Sequence, residues 1–278
     1  METKKKKIAI VHHPGFAAEA VVSRLGALSA EFVWQPQPAV HMLGRNTPDE
    51  ETVYDYLLGR TEQGKKHHPD GVVVLVSATG LERQLYLASQ VIDLRLPTVI
   101  ALTDLEVAAQ KGLTVNPPKM AEHIGIAVQP LQSHPGKSAE VLVETVSDAF
   151  ANKEPKKMIH WRPPIALADA YNHLDNGWIY KHIRLHKGAR LLEGLRLISV
   201  PKAIDDFSEL PEHEALVQHL EEAREIISTR KENWALTEVL QRNNFISQLV
   251  ATATQRVEVA PDGGFWTRII DRMRPGVN

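Results

Sequence analysis

At 278 residues, with 43% hydrophobic and 24% charged residues, the chain has the composition of an ordinary globular protein with room for one large domain or two smaller ones. A formal charge of −2 excludes the strong basic excess of a general nucleic-acid binder, and the run of four lysines at 4–7 reads as a solubilising start to a strand. The absence of cysteine excludes disulfides, thiolate zinc sites and cysteine nucleophiles, and no run of about 18 apolar residues could cross a membrane. The opening lysines precede only four apolar residues, too few for a secretory signal, so the expectation is a soluble, cytoplasmic chain.

The first half alternates strand and helix signals. Residues 8–11 form a short apolar run that enters a Pro-Gly turn and then an Ala/Val-rich helix. A strand at 31–34 comes next, and then Pro48 opens a helix whose first turn, Asp49-Glu50-Glu51, suits the helix dipole. Residues 71–76 (GVVVLV) are β-branched without alternation, as in a strand buried on both faces of a parallel sheet. A helix is predicted over 81–94, with Leu81, Leu85, Ala88 and Ile92 at helical spacing. A buried strand over 97–102 succeeds it, then short helices over 104–111 and 117–123. A strand over 126–131 and a long amphipathic helix over 137–151 complete this part. The succession predicts an α/β fold: a mostly parallel sheet covered by helices.

After about residue 152 the pattern changes. The segment NKEPKKMIHWRPP has the charge and proline load of a linker, and the rest of the chain reads as helices over 165–174, 178–198, 212–230, 236–254 and 265–273. The expected organisation is therefore an α/β domain over 1–155 and an all-α domain over 156–278.

The connection after the first strand, HHPGFAAEA, stands where a phosphate-binding loop would. Such a loop needs glycines for close backbone approach, a lysine for the β/γ oxygens and a hydroxyl for magnesium. This one has a single glycine and neither of the others. Further along, TPDEETVYDYLL, LERQLYL and AEHIGIAVQPLQS occur in an order that resembles the N-terminal cytoplasmic domain of the ferrous iron transport protein B (FeoB) family, over about residues 47–150. RLLEGLRLI and NNFISQLV are similar to helix segments of the same family. The resemblance implies a G-domain-like P-loop fold, then a helical domain, then a membrane part that carries iron(II). It also implies GTP and Mg²⁺ as the family's ligands.

Set against that resemblance, each nucleotide motif is degraded. Ala17 and Ala18 fall at the glycine and lysine positions and Glu19 at the hydroxyl, where a carboxylate would repel phosphate. Pro36 replaces the aspartate and Ala39 the glycine of the second motif, and the segment between the first helix and Phe32 is too short to hold a switch loop and an edge strand. The guanine-reading Asn-x-x-Asp is Thr103-Asp104-Leu105-Glu106, and Ser133 survives beside His134 in the last base-contacting loop. His13, Gly15, Ala18, Thr103, Glu106 and Ser133 thus outline a vestigial nucleotide pocket, with no catalytic residue, no cofactor and no metal expected. The expectation is the cytoplasmic domain of a ferrous iron uptake transporter, at the cytoplasmic side of the inner membrane. It is predicted neither to hydrolyse nor to bind GTP, leaving a structural or regulatory role; whether it is an enzyme stays open. The alternative is a GTP-binding GTPase of the same family, completed by a second chain.

Other constellations are weaker. His182 and His186 are four apart on one predicted helix, a metal-ligand spacing, but KHIRLHKGAR reads more simply as a solvated face; His12-His13 and His67-His68 are expected among thirteen histidines. Trp161, Trp178, Trp234 and Trp266 read as packing residues. The expected partners are the transporter's membrane part, no nucleic acid, and a second copy of the chain. Loss of the edge strand makes the strand at 31–34 the sheet's unpaired edge, and exposed edges invite pairing, so a homodimer by edge pairing or element exchange is expected.

Overall fold

The structure is a computed structural model that describes residues 5–60, 68–132, 137–151 and 161–256. Five strands form one parallel sheet: β1 (Lys6–His12), β2 (Phe32–Pro36), β3 (Gly71–Ser77), β4 (Thr98–Thr103) and, after a short strand elsewhere, β6 (Ala127–Pro130). Their order is β2-β1-β3-β4-β6. Period-two alternation divides the central strands between two cores. Ala9, Val11, Val72, Val74, Val76, Ile100 and Leu102 face one side; Ile8, Ile10, Val73, Leu75, Val99 and Ala101 face the other. Burial on both faces explains the unbroken apolar runs.

Helices cover both faces. α1 (Ala18–Leu28) and α6 (Ser138–Ala151) contribute Ala18, Leu25, Ala139, Leu142 and Val146 to one core, and α2 (Pro48–Leu58) and α3 (Leu81–Asp93) pack on the other. The start of α2 is dictated by its sequence: Thr47 Oγ1 accepts from the Glu50 N–H, Pro48 occupies the first turn, and Gly59 closes the helix in the left-handed region at φ 78°. Two short helices, α4 (Leu105–Gln110) and α5 (Pro117–Ile124), flank β5 (Leu113–Val115).

The C-terminal half is helical, as expected, with two corrections. α7 (Ile165–Leu174) runs into a π turn over Asp175–Ile179 and a last turn, α8 (Tyr180–His182). The chain then extends before α9 (Lys187–Ser199), so the single helix expected over 178–198 is broken; Ile183 is extended at φ −114°. A 3₁₀ segment (Pro201–Phe207), α10 (His213–Thr229) and α11 (Trp234–Ala253) come after it. Strand β7 (Thr254–Arg256), absent from the sequence expectation, pairs antiparallel with β5, and the Asn116 N–H donates to Ala253 O. The helix expected over 265–273, Trp266, and the boundary expected near 155 lie outside the described residues.

The helical half has its own core, in which Trp161, Leu167, Trp178, Leu195, Leu216 and Leu220 are buried. It also shares the sheet's core: Ala189 and Leu192 of α9 and Ile246, Leu249 and Ala253 of α11 pack with α2, α3 and α5. The approach is so close that a Cβ on Gly188 would collide with the Leu94 carbonyl. Two buried charges bridge the same seam. Arg242 of α11 donates to Glu238 Oε1 (2.6 Å), Ser89 Oγ (3.0 Å) and Asp93 Oδ2 (2.7 Å), and its guanidinium lies 3.9 Å from the Trp161 ring centroid. Glu193 of α9 accepts from Tyr54 Oη (2.6 Å) and Arg196 (2.8 Å) and pairs with Arg60 (3.3 Å). Burial opposes ionisation of Arg242, but the Asp93 and Glu238 carboxylates outweigh it and hold the guanidinium charged.

Truncating one partner of such a network leaves buried carboxylates uncompensated. Arg242→Ala is therefore expected to destabilise the fold by about 3–5 kcal/mol, read from the urea midpoint at unchanged slope.

Candidate functional site

In a doubly wound sheet, ligands bind outside the carboxyl ends of the strands, where successive connections leave for opposite sides. Here that point lies between β1 and β3: the chain goes from β1 outward to β2, then returns to β3 on the other flank. The connection from β1 to α1 and the loop after β2 meet at this point.

The β1–α1 connection turns sharply before the helix begins. Gly15 sits at φ 100°, a conformation that side chains rarely adopt. Helix α1 begins at Ala18, which is buried, after Ala17, which offers no side-chain cap; Glu19 is exposed in the first turn. Free N–H groups at a helix start favour an anion, but the carboxylate opposes one.

Histidines occupy the positions around the strand end. His12, the last residue of β1, is buried; its Nδ1 lies 2.9 Å from His13 O and its Nε2 3.1 Å from Gln37 O. His13 is fully buried, and its Nδ1 lies 3.1 Å from Nδ1 of His41, with the rings 4.9 Å apart. Two imidazole nitrogens at that distance share one proton when both rings are neutral. His12 at the end of β1 and His13 just beyond it thus serve different contacts. The loop after β2 is fastened further: the Gln37 N–H donates to Ile10 O and the Val40 N–H to His12 O, each 3.0 Å. At its far end Leu43 N–H donates to Gln90 Oε1, and Gln90 Nε2 donates back to Leu43 O. The segment containing Pro36 and Ala39 is therefore pinned to β1 and α3.

Two other expected pocket residues lie at and just after the end of β4. Thr103 ends β4 and its hydroxyl donates to Asp104 Oδ2 (2.9 Å); Asp104 is left-handed at φ 57°, and Glu106 is exposed in the first turn of α4. Ser133 and His134 lie outside the described residues. The structure separates the pair His182 and His186: His182 ends α8 stacked on Trp178, and His186 caps α9, its Nδ1 accepting from the Ala189 N–H. They do not share a helix face, because the chain is extended between them. His67 is outside the described residues. Sequence patterning gave no sign of His41, whose contact with His13 depends on a loop fold that no periodicity signals.

A protein-family model described as ferrous iron transport protein B matches residues 3–146. The chain belongs to the ferrous iron transport protein B family. It is 29% identical over 133 residues to the Fe(2+) transporter FeoB of Legionella pneumophila (strain Lens), a match that covers 46% of this chain and 17% of that protein. The chain therefore aligns with less than a fifth of that relative's length. Among solved structures, the mGMPPNP-bound NFeoB from S. thermophilus superposes with a TM-score of 0.72 at 17% identity, covering 92% of this chain and 100% of that one. The cytosolic domain of the T. maritima FeoB iron transporter, in a GDP form, gives 0.68 at 19%, covering 91% and 100%. These likenesses establish the fold: a P-loop G-domain sheet with a helical region after it.

Burial lowers the pKa of His13 from 6.5 to about 4, and repulsion from His41 and Arg83 adds to the shift against weaker backbone hydrogen bonds. His13 is thus neutral when folded, and its depressed folded value means stability is complete above the unfolded pKa of 6.5 and falls as pH drops from there toward about 4. His13→Gln should flatten that part of the stability–pH curve, measured by denaturation midpoints from neutral pH downward; an unchanged slope would show that His13 titrates normally.

Proposed function

We propose that the chain is the cytoplasmic domain of a ferrous iron (Fe²⁺) uptake transporter in which the G-domain-like part neither hydrolyses nor binds GTP. It acts structurally or as a regulator, docked on the transporter's membrane part at the cytoplasmic side of the inner membrane. The observation that carries this reading is the β1–α1 loop, where His13 is buried against His41 and neither a lysine nor a hydroxyl is present to meet a phosphate. The fastening of residues 37–43 to β1 and α3 supports it, since a nucleotide switch requires a loop free to change partners. His13, Gly15, Ala18, Thr103, Glu106 and Ser133 are then the remains of a nucleotide pocket, and the α/β and helical domains divide near residue 155. No helix among the described residues is long and apolar enough to cross a membrane, so the chain's own described part does not supply the membrane component.

A second reading, a GTPase completed by a partner chain, draws on the topological switch point between β1 and β3 and on the solved relatives described with mGMPPNP or GDP. A homodimer would bring the partner. Strand β2 pairs only with β1 among the described residues, and Val33 is exposed on it.

Titration of the purified chain with a fluorescent GDP analogue, with and without Mg²⁺, should give no saturable anisotropy change into the high micromolar range. Magnesium-dependent saturation would replace the first reading with the second. Sedimentation velocity at tens of micromolar should show a dimer; a clean monomer at that concentration removes the edge-pairing partner.

A further inference from the structure

Two helices of the C-terminal half bring together three side chains able to ligate a metal. His173 lies in the last turn of α7, and His219 and Glu222 are three residues apart on one face of α10. His173 Nε2 is 2.8 Å from Glu222 Oε2, and His219 Nδ1 is 3.5 Å from the same oxygen. One ligand atom from each of the three lies within 4.8 Å of the other two. A tetrahedral ion with bonds of ~2.0–2.2 Å separates its ligands by roughly 3.3–3.6 Å, so side-chain adjustment alone brings these atoms to coordination distance.

Three features distinguish the cluster from a surface ion pair. Nδ1 of His219 is shielded from solvent and makes no hydrogen bond among the described residues, which leaves a nitrogen facing the carboxylate with its lone pair or proton unused. The wall beside it is the π turn Asp175–Ile179, where a Cβ on Gly177 would stand 2.8 Å from that nitrogen. π turns recur where a helix is reshaped around a functional group, and here the turn and its glycine make room for the imidazole. Glu222 is also oriented from outside: Gln218 Nε2 donates to its Oε1 at 2.9 Å, which turns Oε2 toward both histidines.

We propose that His173, His219 and Glu222 bind a divalent first-row transition ion, with solvent completing the coordination, and so tie α7 to α10. Two imidazoles and a carboxylate suit ions of the zinc, cobalt(II) and iron(II) kind, whereas magnesium and calcium prefer oxygen alone. The site is independent of the nucleotide reading, because it lies in the helical half and shares no residue with the β1–α1 connection. α7 and α10 share a core with α9, whose Glu193 holds Tyr54 and Arg60 at the end of α2. An ion at the cluster would therefore stiffen the body against which α2 rests.

The test is a titration of the untagged full chain with cobalt(II) at about pH 7.5, where imidazole is neutral, monitored by visible absorption. The expected result is one saturable set of d–d bands, displaced by zinc. Affinity should fall roughly tenfold or more in His219→Ala and in Glu222→Gln and stay unchanged in His182→Ala, with circular dichroism verifying each fold. Glu222→Gln preserves the side-chain shape, so a loss there reports ligation rather than unfolding. A spectrum that stays that of aqueous cobalt(II), or bands that persist in both His219→Ala and Glu222→Gln, would overturn the proposal.

Discussion

The buried guanidinium of Arg242 is the constraint on which the arrangement of the two halves depends. A charge removed from water must find opposite charge and hydrogen bonds at fixed positions: Glu238 reaches it from its own helix, and the docking of α11 on α3 brings Asp93 and Ser89. The Trp161 ring covers the guanidinium face, so the start of the helical half is fixed by the same group. Apolar packing along this seam supplies attraction without direction; the ion network selects the register.

A second network, of opposite sign at its centre, does the same for α9. Glu193 is fully buried and meets Tyr54, Arg60 and Arg196, while Arg196 passes on to Asp206 (2.7 Å). Burial would raise the Glu193 pKa, but the two arginines and the tyrosine hydroxyl hold it below the ordinary value, so the carboxylate stays charged. α2 and α3 are thus gripped from one side by α9 and α11, and the loop between β2 and α2 is fastened at the strand end by His12 and at α3 by Gln90. The carboxyl end of β1 is framed by parts that are held, with His12 and His13 at its end.

Much of the α/β part was legible because its signals are local. Strands β1, β3 and β4 announce themselves as apolar β-branched runs, and α2 begins where Thr47 and Pro48 predict. The features that escaped depend on distant residues. β5 and β7 are three residues each and exist only because segments far apart in the chain meet, so neither carries a periodic signal. The helix expected across 178–198 fails for a related reason: Ile183 turns extended to bring Gly188 against Leu94, a close approach that helical propensity cannot foresee.

The site divides in the same way. That the β1–α1 loop holds neither lysine nor hydroxyl is a fact of composition, legible without the fold. The sequence also carried the family, through several unusual words in one order. The fold alone brings the side chains together or apart: His13 meets His41, His182 and His186 part company, and His173 meets His219 and Glu222. Sequence spacing locates side chains relative to their own element alone. Contacts between elements are set by packing of whole faces and by the few buried charges that permit one register and reject the others.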